Sequence, residues 1–147
     1  MDMVGNSWNP IILEESTRLL RKTGVKITTC HKDFVALDID VSCFDNSDTK
    51  KEGVSRTYKG YDGYTPIFAY LGQEGYAVNT QLREGKQHCQ KGTSEFLEKS
   101  IWYSKTIIDK PILVKMDSGN DSIENIKVCI KQEADYIKKG QPSQRKP

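Results

Sequence analysis

The chain has 147 residues, enough for one ordinary domain and too few for two comfortable ones. Hydrophobic residues make up 36% and charged residues 29%, a polar but foldable mixture that excludes wholesale disorder. Lys and Arg number 22 against 20 Asp and Glu, and this net charge of +2 excludes nucleic-acid binding by bulk charge alone while leaving room for a local basic face. No apolar run approaches the ~20 residues that span a bilayer, so no membrane partner is expected. The start, Met1-Asp2-Met3-Val4-Gly5, lacks the basic and then apolar pattern of a secretory signal. Cys30, Cys43, Cys89 and Cys129 are irregularly spaced and form no CxxC pair, and with two His this argues against structural zinc. Free thiols in a reducing cytoplasm are the expectation.

The first segment reads as a helix. Asn9 can cap it, Pro10 suits its first turn, Ile11, Ile12, Leu13, Leu19 and Leu20 supply an apolar face, and Gly24 ends it. Phe34 to Val41 alternates at period two: Val35, Leu37, Ile39 and Val41 point one way, and Phe34, Ala36, Asp38 and Asp40 the other. It is the clearest strand in the chain. Cys43 to Gly63 is a long polar loop with little periodicity, a length that usually means function or mobility. Tyr64 to Leu71 and Tyr76 to Leu82 read as strands of a hairpin turned by Gly72-Gln73-Glu74-Gly75. Thr93 or Ser94 can cap a helix to about Ile108, with Leu97, Ile101 and Ile108 on one face beside Phe96 and Ile107. Pro111 to Asp117 is a short, largely apolar strand of the buried kind. Asp121 with Glu124 resembles a capping box for a helix carrying Ile123, Ile126 and Ile130. Tyr136 and Ile137 start a fifth strand, and Lys138 to Pro147 reads as a frayed basic tail.

A helix followed by β-β-β-α-β-α-β is the element order of a ribonuclease-H-like α/β domain with a mixed sheet. The right-handed crossover rule places the strands flanking the long helix side by side and parallel. Three segments follow: an N-terminal helical segment (1–32), the core (33–139) and a disordered tail (140–147).

Strand-borne carboxylates stand out. Asp38 and Asp40 face the same side of one strand, and Asp117 ends another, before a Gly-containing turn. Ligands of open α/β sheets gather outside the carboxyl ends of the strands. With the first and fourth strands as neighbours, Asp40 and Asp117 lie together at that edge. Like charges held close call for a neutralising cation. Oxygen ligands suit Mg²⁺ or Mn²⁺ better than zinc. Two such ions, roughly 3.5–4 Å apart, serve phosphodiester chemistry. The competing reading is that Asp117 bonds to the backbone of Gly119 or Asn120. Either Asp38 or Asp40 can be the first ligand, and Asp38 can equally face solvent.

Lys50, Lys51, Arg56 and Lys59 interleave with Tyr58, Tyr61 and Tyr64, and Arg83 and Lys86 follow the third strand. Such residues hold phosphates, with tyrosines on sugars or bases. The bland alternative is a solvated loop whose charge Asp45, Asp48 and Glu52 dilute. Trp8 and Trp102 read as core or partly buried packing. No Gly-x-Ser-x-Gly and no phosphate loop is present, which weakens hydrolase and nucleotidase readings.

Several stretches in order carry a family likeness: Leu37-Asp38-Ile39-Asp40-Val41-Ser42, Lys51-Glu52-Gly53, Gly60-Tyr61-Asp62-Gly63-Tyr64-Thr65-Pro66-Ile67, Gln81-Leu82-Arg83-Glu84-Gly85-Lys86 and Val114-Lys115-Met116-Asp117-Ser118-Gly119. Together they resemble the DDE transposases of bacterial insertion sequences, the thirteen-eighty group most closely, over about Phe34 to Lys139. The resemblance implies a ribonuclease-H-like core with two Asp, one Glu and two Mg²⁺ ions that cuts DNA at element ends and joins the freed 3′-hydroxyl to a target. By motif Asp40 is the first acid and Asp117 the second, with Asp38 as the alternative metal ligand, and Arg56, Lys59, Arg83 and Lys86 contact DNA. Lys86 replaces a usual Asn, and Asn120 a usual aromatic. The third acid of this family lies well beyond the second, and Glu124 and Glu133 come too early to be it. The amino-terminal DNA-binding region of full-length relatives is also not evident. The expectation is a fragment, incomplete at the C-terminus and inactive alone. The alternative is a non-catalytic remnant that binds DNA or pairs with a full-length transposase or a second copy of itself.

Overall fold

The structure, a computed structural model, describes residues 3–120 and 122–138. Helix α1 runs Met3–Thr23, and Gly24 ends it in the left-handed region at φ +58°. The helix begins earlier than the Asn9–Pro10 signal predicts, with Pro10 inside it. Its inward face also differs from the expected one. Leu13, Thr17 and Leu20 turn inward, whereas Ile11, Ile12 and Leu19 are exposed.

Strand β1 (Val35–Val41) keeps the predicted alternation: Val35, Leu37 and Ile39 are buried in the core. The expected long loop instead folds into a small sheet of β2 (Phe44–Asp45), β3 (Ser55–Arg56) and β4 (Asp62–Tyr64), with β4 in the middle. Strands of two or three residues are too short to show a period. Thr65 and Pro66 separate β4 from β5 (Ile67–Leu71), so the second predicted strand is two elements. Pro66 has no N–H to give a ladder, but its carbonyl accepts from Ser42 N at 3.1 Å. Strand β6 (Tyr76–Gln81) completes the hairpin.

Helix α2 spans Thr93–Ile107. Gly92, not Thr93 or Ser94, is its N-cap. Phe96, Leu97 and Ile101 are buried on the face that lies over the sheet, while Trp102 is 57% exposed rather than packed. Strand β7 (Ile112–Met116) is followed by a 3₁₀ turn, Ser118–Asn120. Helix α3 (Ile123–Lys131) is capped by Ser122, whose side chain accepts from Asn125 N; the expected cap, Asp121, lies outside the described residues. Its buried residues are Asn125 and Cys129, and the predicted apolar face is turned outward, with Ile123 and Ile130 exposed. Strand β8 is Asp135–Lys138, and most of the expected tail lies outside the described residues.

The main sheet has the order β6-β5-β1-β7-β8. β1 runs antiparallel to β5 and parallel to β7, and β7 parallel to β8. This is the mixed, ribonuclease-H-like arrangement that the element order predicts. α2 lies across β1, β5, β6 and β7, with α1 and α3 against it. Leu97 is fully buried at this junction. Leu97→Ala is expected to cost about 2–5 kcal/mol, read from the urea midpoint.

The connector before β1 is tied to the β5–β6 turn. Glu74 accepts from the Thr28 amide, at 2.9 Å to one carboxylate oxygen, and from the Thr28 hydroxyl. These bonds hold its carboxyl below the usual glutamate range. The stability it contributes is therefore present above the ordinary glutamate pKa and lost as pH falls through the lower folded value. Glu74→Gln is expected to lower the melting temperature at pH 7, with the gap to the parent closing under acid.

Candidate active site

The acid pair follows from the register of β1 and β7. Ile39 lies opposite Met116 in a parallel ladder, so the next residues, Asp40 and Asp117, stand side by side at the carboxyl ends. Neighbouring strands are about 4.8 Å apart. Both residues are exposed. Ser42 Oγ donates to Asp40 Oδ2 at 2.9 Å. Asn120 donates to Asp117 Oδ1 twice, from its backbone N at 3.2 Å and from Nδ2 at 3.1 Å. Asp40 Oδ1 and Asp117 Oδ2 take no hydrogen bond among the described residues. Asp117 thus holds its turn, as the local alternative expects, and still keeps one oxygen free.

Asn120 is itself anchored. It is fully buried, and its carbonyl accepts from Asn125 Nδ2 at 2.6 Å, while Ser94 Oγ donates to Asn125 Oδ1 at 2.9 Å. This chain of side chains fixes the Asp117 turn to α2 and α3. It explains why a polar residue, not isoleucine, fills the inner face of α3. No spacing rule in the sequence announces it.

Asp38 faces the same side as Asp40 but is held by Lys115, with Nζ 2.9 Å from Oδ1. Both line a cleft of about 350 Å³ with Asp40, Asp117 and Ile137. Among the described residues no group of three His, Cys, Asp or Glu converges.

The small sheet leans over this edge. Its approach needs glycine: a Cβ on Gly85 would lie 2.0 Å from Ser55 O and 2.4 Å from Gly63 O. Tyr61 and Tyr64 spend their hydroxyls on the loop itself, donating to Cys43 O at 3.2 Å and Glu52 O at 2.6 Å, rather than offering them to a ligand. Tyr58 is exposed, and its phenol is pushed up to about 12, first by the Cys43 side chain, then by partial burial and by the charges of Cys43, Asp117 and Asp40. The tyrosine therefore sits within the electrostatic field of both acids.

The expected DNA contacts divide. Arg56, Lys59 and Lys86 are exposed; Arg56 pairs with Asp62 at 3.3 Å and Lys86 with Glu84 at 3.6 Å. Arg83 is not on the surface. It is 3% exposed, with Nε donating to Gln81 Oε1 at 3.1 Å and Nη1 to Cys89 O and Thr93 Oγ1 at 3.2 and 3.1 Å. The start of α2 draws it inward. Arg56, Tyr58, Lys86 and Asp117 line a second cleft of about 630 Å³. No described helix is long and apolar enough to cross a membrane.

A family described as transposase DDE domain group 1 matches residues 14–141. No curated protein sequence matches the chain. Solved structures similar in shape include the following two. One is a simian T-cell lymphotropic virus intasome in complex with PP2A regulatory subunit B56 gamma, with TM-score 0.49 and 11% identity over 77% of this chain and 34% of that one. The other is a piggyBac transposase synaptic complex with hairpin DNA, with TM-score 0.49 and 14% identity over 75% of this chain and 24% of that one. The chain therefore spans about a third and a quarter of the length of these two chains.

Proposed function

The chain belongs to the transposase DDE domain group 1 family, and from this we propose that it supplies two of the acids of a metal-dependent DNA cleavage and strand-transfer site. The observation that carries the reading is the juxtaposition of Asp40 and Asp117 at the ends of paired parallel strands, each with one free oxygen. Asp40 is the first acid and Asp117 the second. Asp38 is the weaker candidate, because Lys115 already neutralises it.

The donor set suits a hard divalent cation, Mg²⁺ or Mn²⁺, held by Asp40 and Asp117. Held there, it would supply Lewis-acid chemistry for activating a water or a 3′-hydroxyl and for stabilising the leaving oxygen of a phosphodiester. Ser42 and Asn120 orient the two carboxylates. Arg56, Lys59 and Lys86 contact backbone phosphates of element ends and target. We assign the element to the thirteen-eighty group of bacterial insertion sequences, acting in the cytoplasm, on the strength of the motif order.

Two acids do not complete the triad, so the chain alone is expected to be inactive. The second reading, a DNA-binding or transposase-interfering remnant that pairs with a full-length enzyme, is favoured by the lack of a third converging acid among the described residues. One assay separates them. Mn²⁺ binding by calorimetry that is lost in Asp117→Asn supports the catalytic reading. DNA affinity that falls with salt, without Mn²⁺ binding that depends on Asp117, supports the remnant.

A further inference from the structure

From Gln87 to Gly92 the chain runs without helix or strand, and its backbone bonds are local, such as Lys91 N to His88 O and Thr93 N to Gln90 O. Cys89 reaches further. Its carbonyl accepts from Arg83 Nη1 at 3.2 Å and from Thr93 Oγ1 at 2.5 Å. Its thiol donates to Gly119 O at 3.0 Å, across 30 positions of sequence. Arg83 is 3% exposed, and a guanidinium is seldom taken out of water unless its donors are used. Nη1 also donates to Thr93 Oγ1, the second group that holds the Cys89 carbonyl. The buried cation therefore grips the peptide of the residue whose thiol crosses to Gly119.

Gly119 is the middle of the turn that follows the second acid. A Cβ on it would lie 3.6 Å from Cys89 Sγ and 3.5 Å from Asp117 Oδ1, so thiol and carboxylate lie against the same glycine. The turn is closed by Asn120 N, which donates at 3.2 Å to Asp117 O and at 3.2 Å to Asp117 Oδ1. Asn125 holds the far end of the turn by the Asn120 carbonyl. Cys89 holds its middle. A carboxylate on an exposed turn samples many directions unless that backbone is fixed, and a metal ligand has to be held close to one of them.

We propose that Arg83 and Cys89 are positioning residues for the second acid: Arg83 holds the Cys89 carbonyl, and the Cys89 thiol holds Gly119 and with it the turn that sets Asp117. The bearing on metal binding rests on the transposase reading, whereas the tether belongs to the folded chain alone. It gives Arg83 a role inside the protein that needs no DNA.

The test is amide exchange of the full chain in chelator, followed by Mn²⁺ calorimetry, both without DNA, so that any change arises inside the protein. The Asn120 amide reports on the turn because it donates to Asp117. Cys89→Ala is expected to raise its exchange about threefold, the loss of one weak donor, and Cys89→Ser, which keeps a donor, to restore it. Arg83→Lys keeps the charge but not the fork, and is expected to raise it about tenfold. Leu37, fully buried in β1, is the control and keeps the parent rate in both Cys89 variants. Mn²⁺ affinity falls about threefold in Cys89→Ala and recovers in Cys89→Ser. Unchanged Asn120 exchange in Cys89→Ala, an equal rise in Cys89→Ser, or an equal rise at Leu37 overturns the tether. The parent rate in Arg83→Lys removes Arg83 from it. Raised exchange with unchanged Mn²⁺ affinity overturns the positioning of Asp117. A parent chain that binds no Mn²⁺ counts against the metal reading alone, because exchange decides the tether in either case.

Discussion

Asp117→Asn is expected to weaken the proposed divalent-cation binding and, in metal-free buffer, to make the protein more stable. Two carboxylates on strands about 4.8 Å apart repel by about 1 kcal/mol when exposed to water. Asparagine keeps an acceptor for Asn120 and deletes the charge. For a domain of this size the relief is about 2–4 °C in melting temperature. It shrinks at high salt, where exposed charges are screened. Mn²⁺ affinity by calorimetry falls at least about tenfold, the loss of one charged ligand. Asp40→Asn behaves alike, and the double variant gains less than the sum of the two, since the second charge no longer has a neighbour to repel. Unchanged Mn²⁺ affinity in the double variant would remove the metal role from both acids.

Gly85→Ala unfastens the small sheet. The added methyl meets two backbone carbonyls, Ser55 O at 2.0 Å and Gly63 O at 2.4 Å, which no rotamer change can clear. Overpacking of this kind costs typically about 1–3 kcal/mol, and two backbone collisions put this case at the upper end. The urea midpoint drops, and amide exchange at Ser55 and Gly63 rises ahead of the main sheet. DNA affinity weakens with it, because Arg56 and Tyr58 travel with β3 and the turn that follows. Lys86→Ala, one residue on and exposed, leaves exchange at Ser55 and Gly63 near the parent value. A Gly85→Ala protein with parental exchange and stability would show that the sheet does not need that close approach.

The central strands were legible because their chemistry is periodic. The alternation of Val35, Leu37 and Ile39 with Asp38 and Asp40 gives β1 and its two faces directly, and the crossover rule then brings Asp117 beside Asp40. The small sheet was illegible because β2 and β3 have two residues each. Its signal is instead the glycines at 63 and 85, which matter through close approach rather than pattern. α3 misled for another reason: Ile123, Ile126 and Ile130 form a regular stripe, yet the core takes Asn125, whose amide bridges Asn120 and Ser94. Arg83 misled in the same way. A basic residue after an edge strand reads as surface until Cys89 and Thr93 are known to lie within reach.

The pairing of β1 with β7 also sets a timetable. The two acids are separated along the polypeptide by the small sheet, the hairpin and α2, and only the parallel ladder unites them. Closing so long an excursion is slow, and it cannot begin until the ribosome has released β7. A nascent chain halted before that point carries Asp40 without its companion.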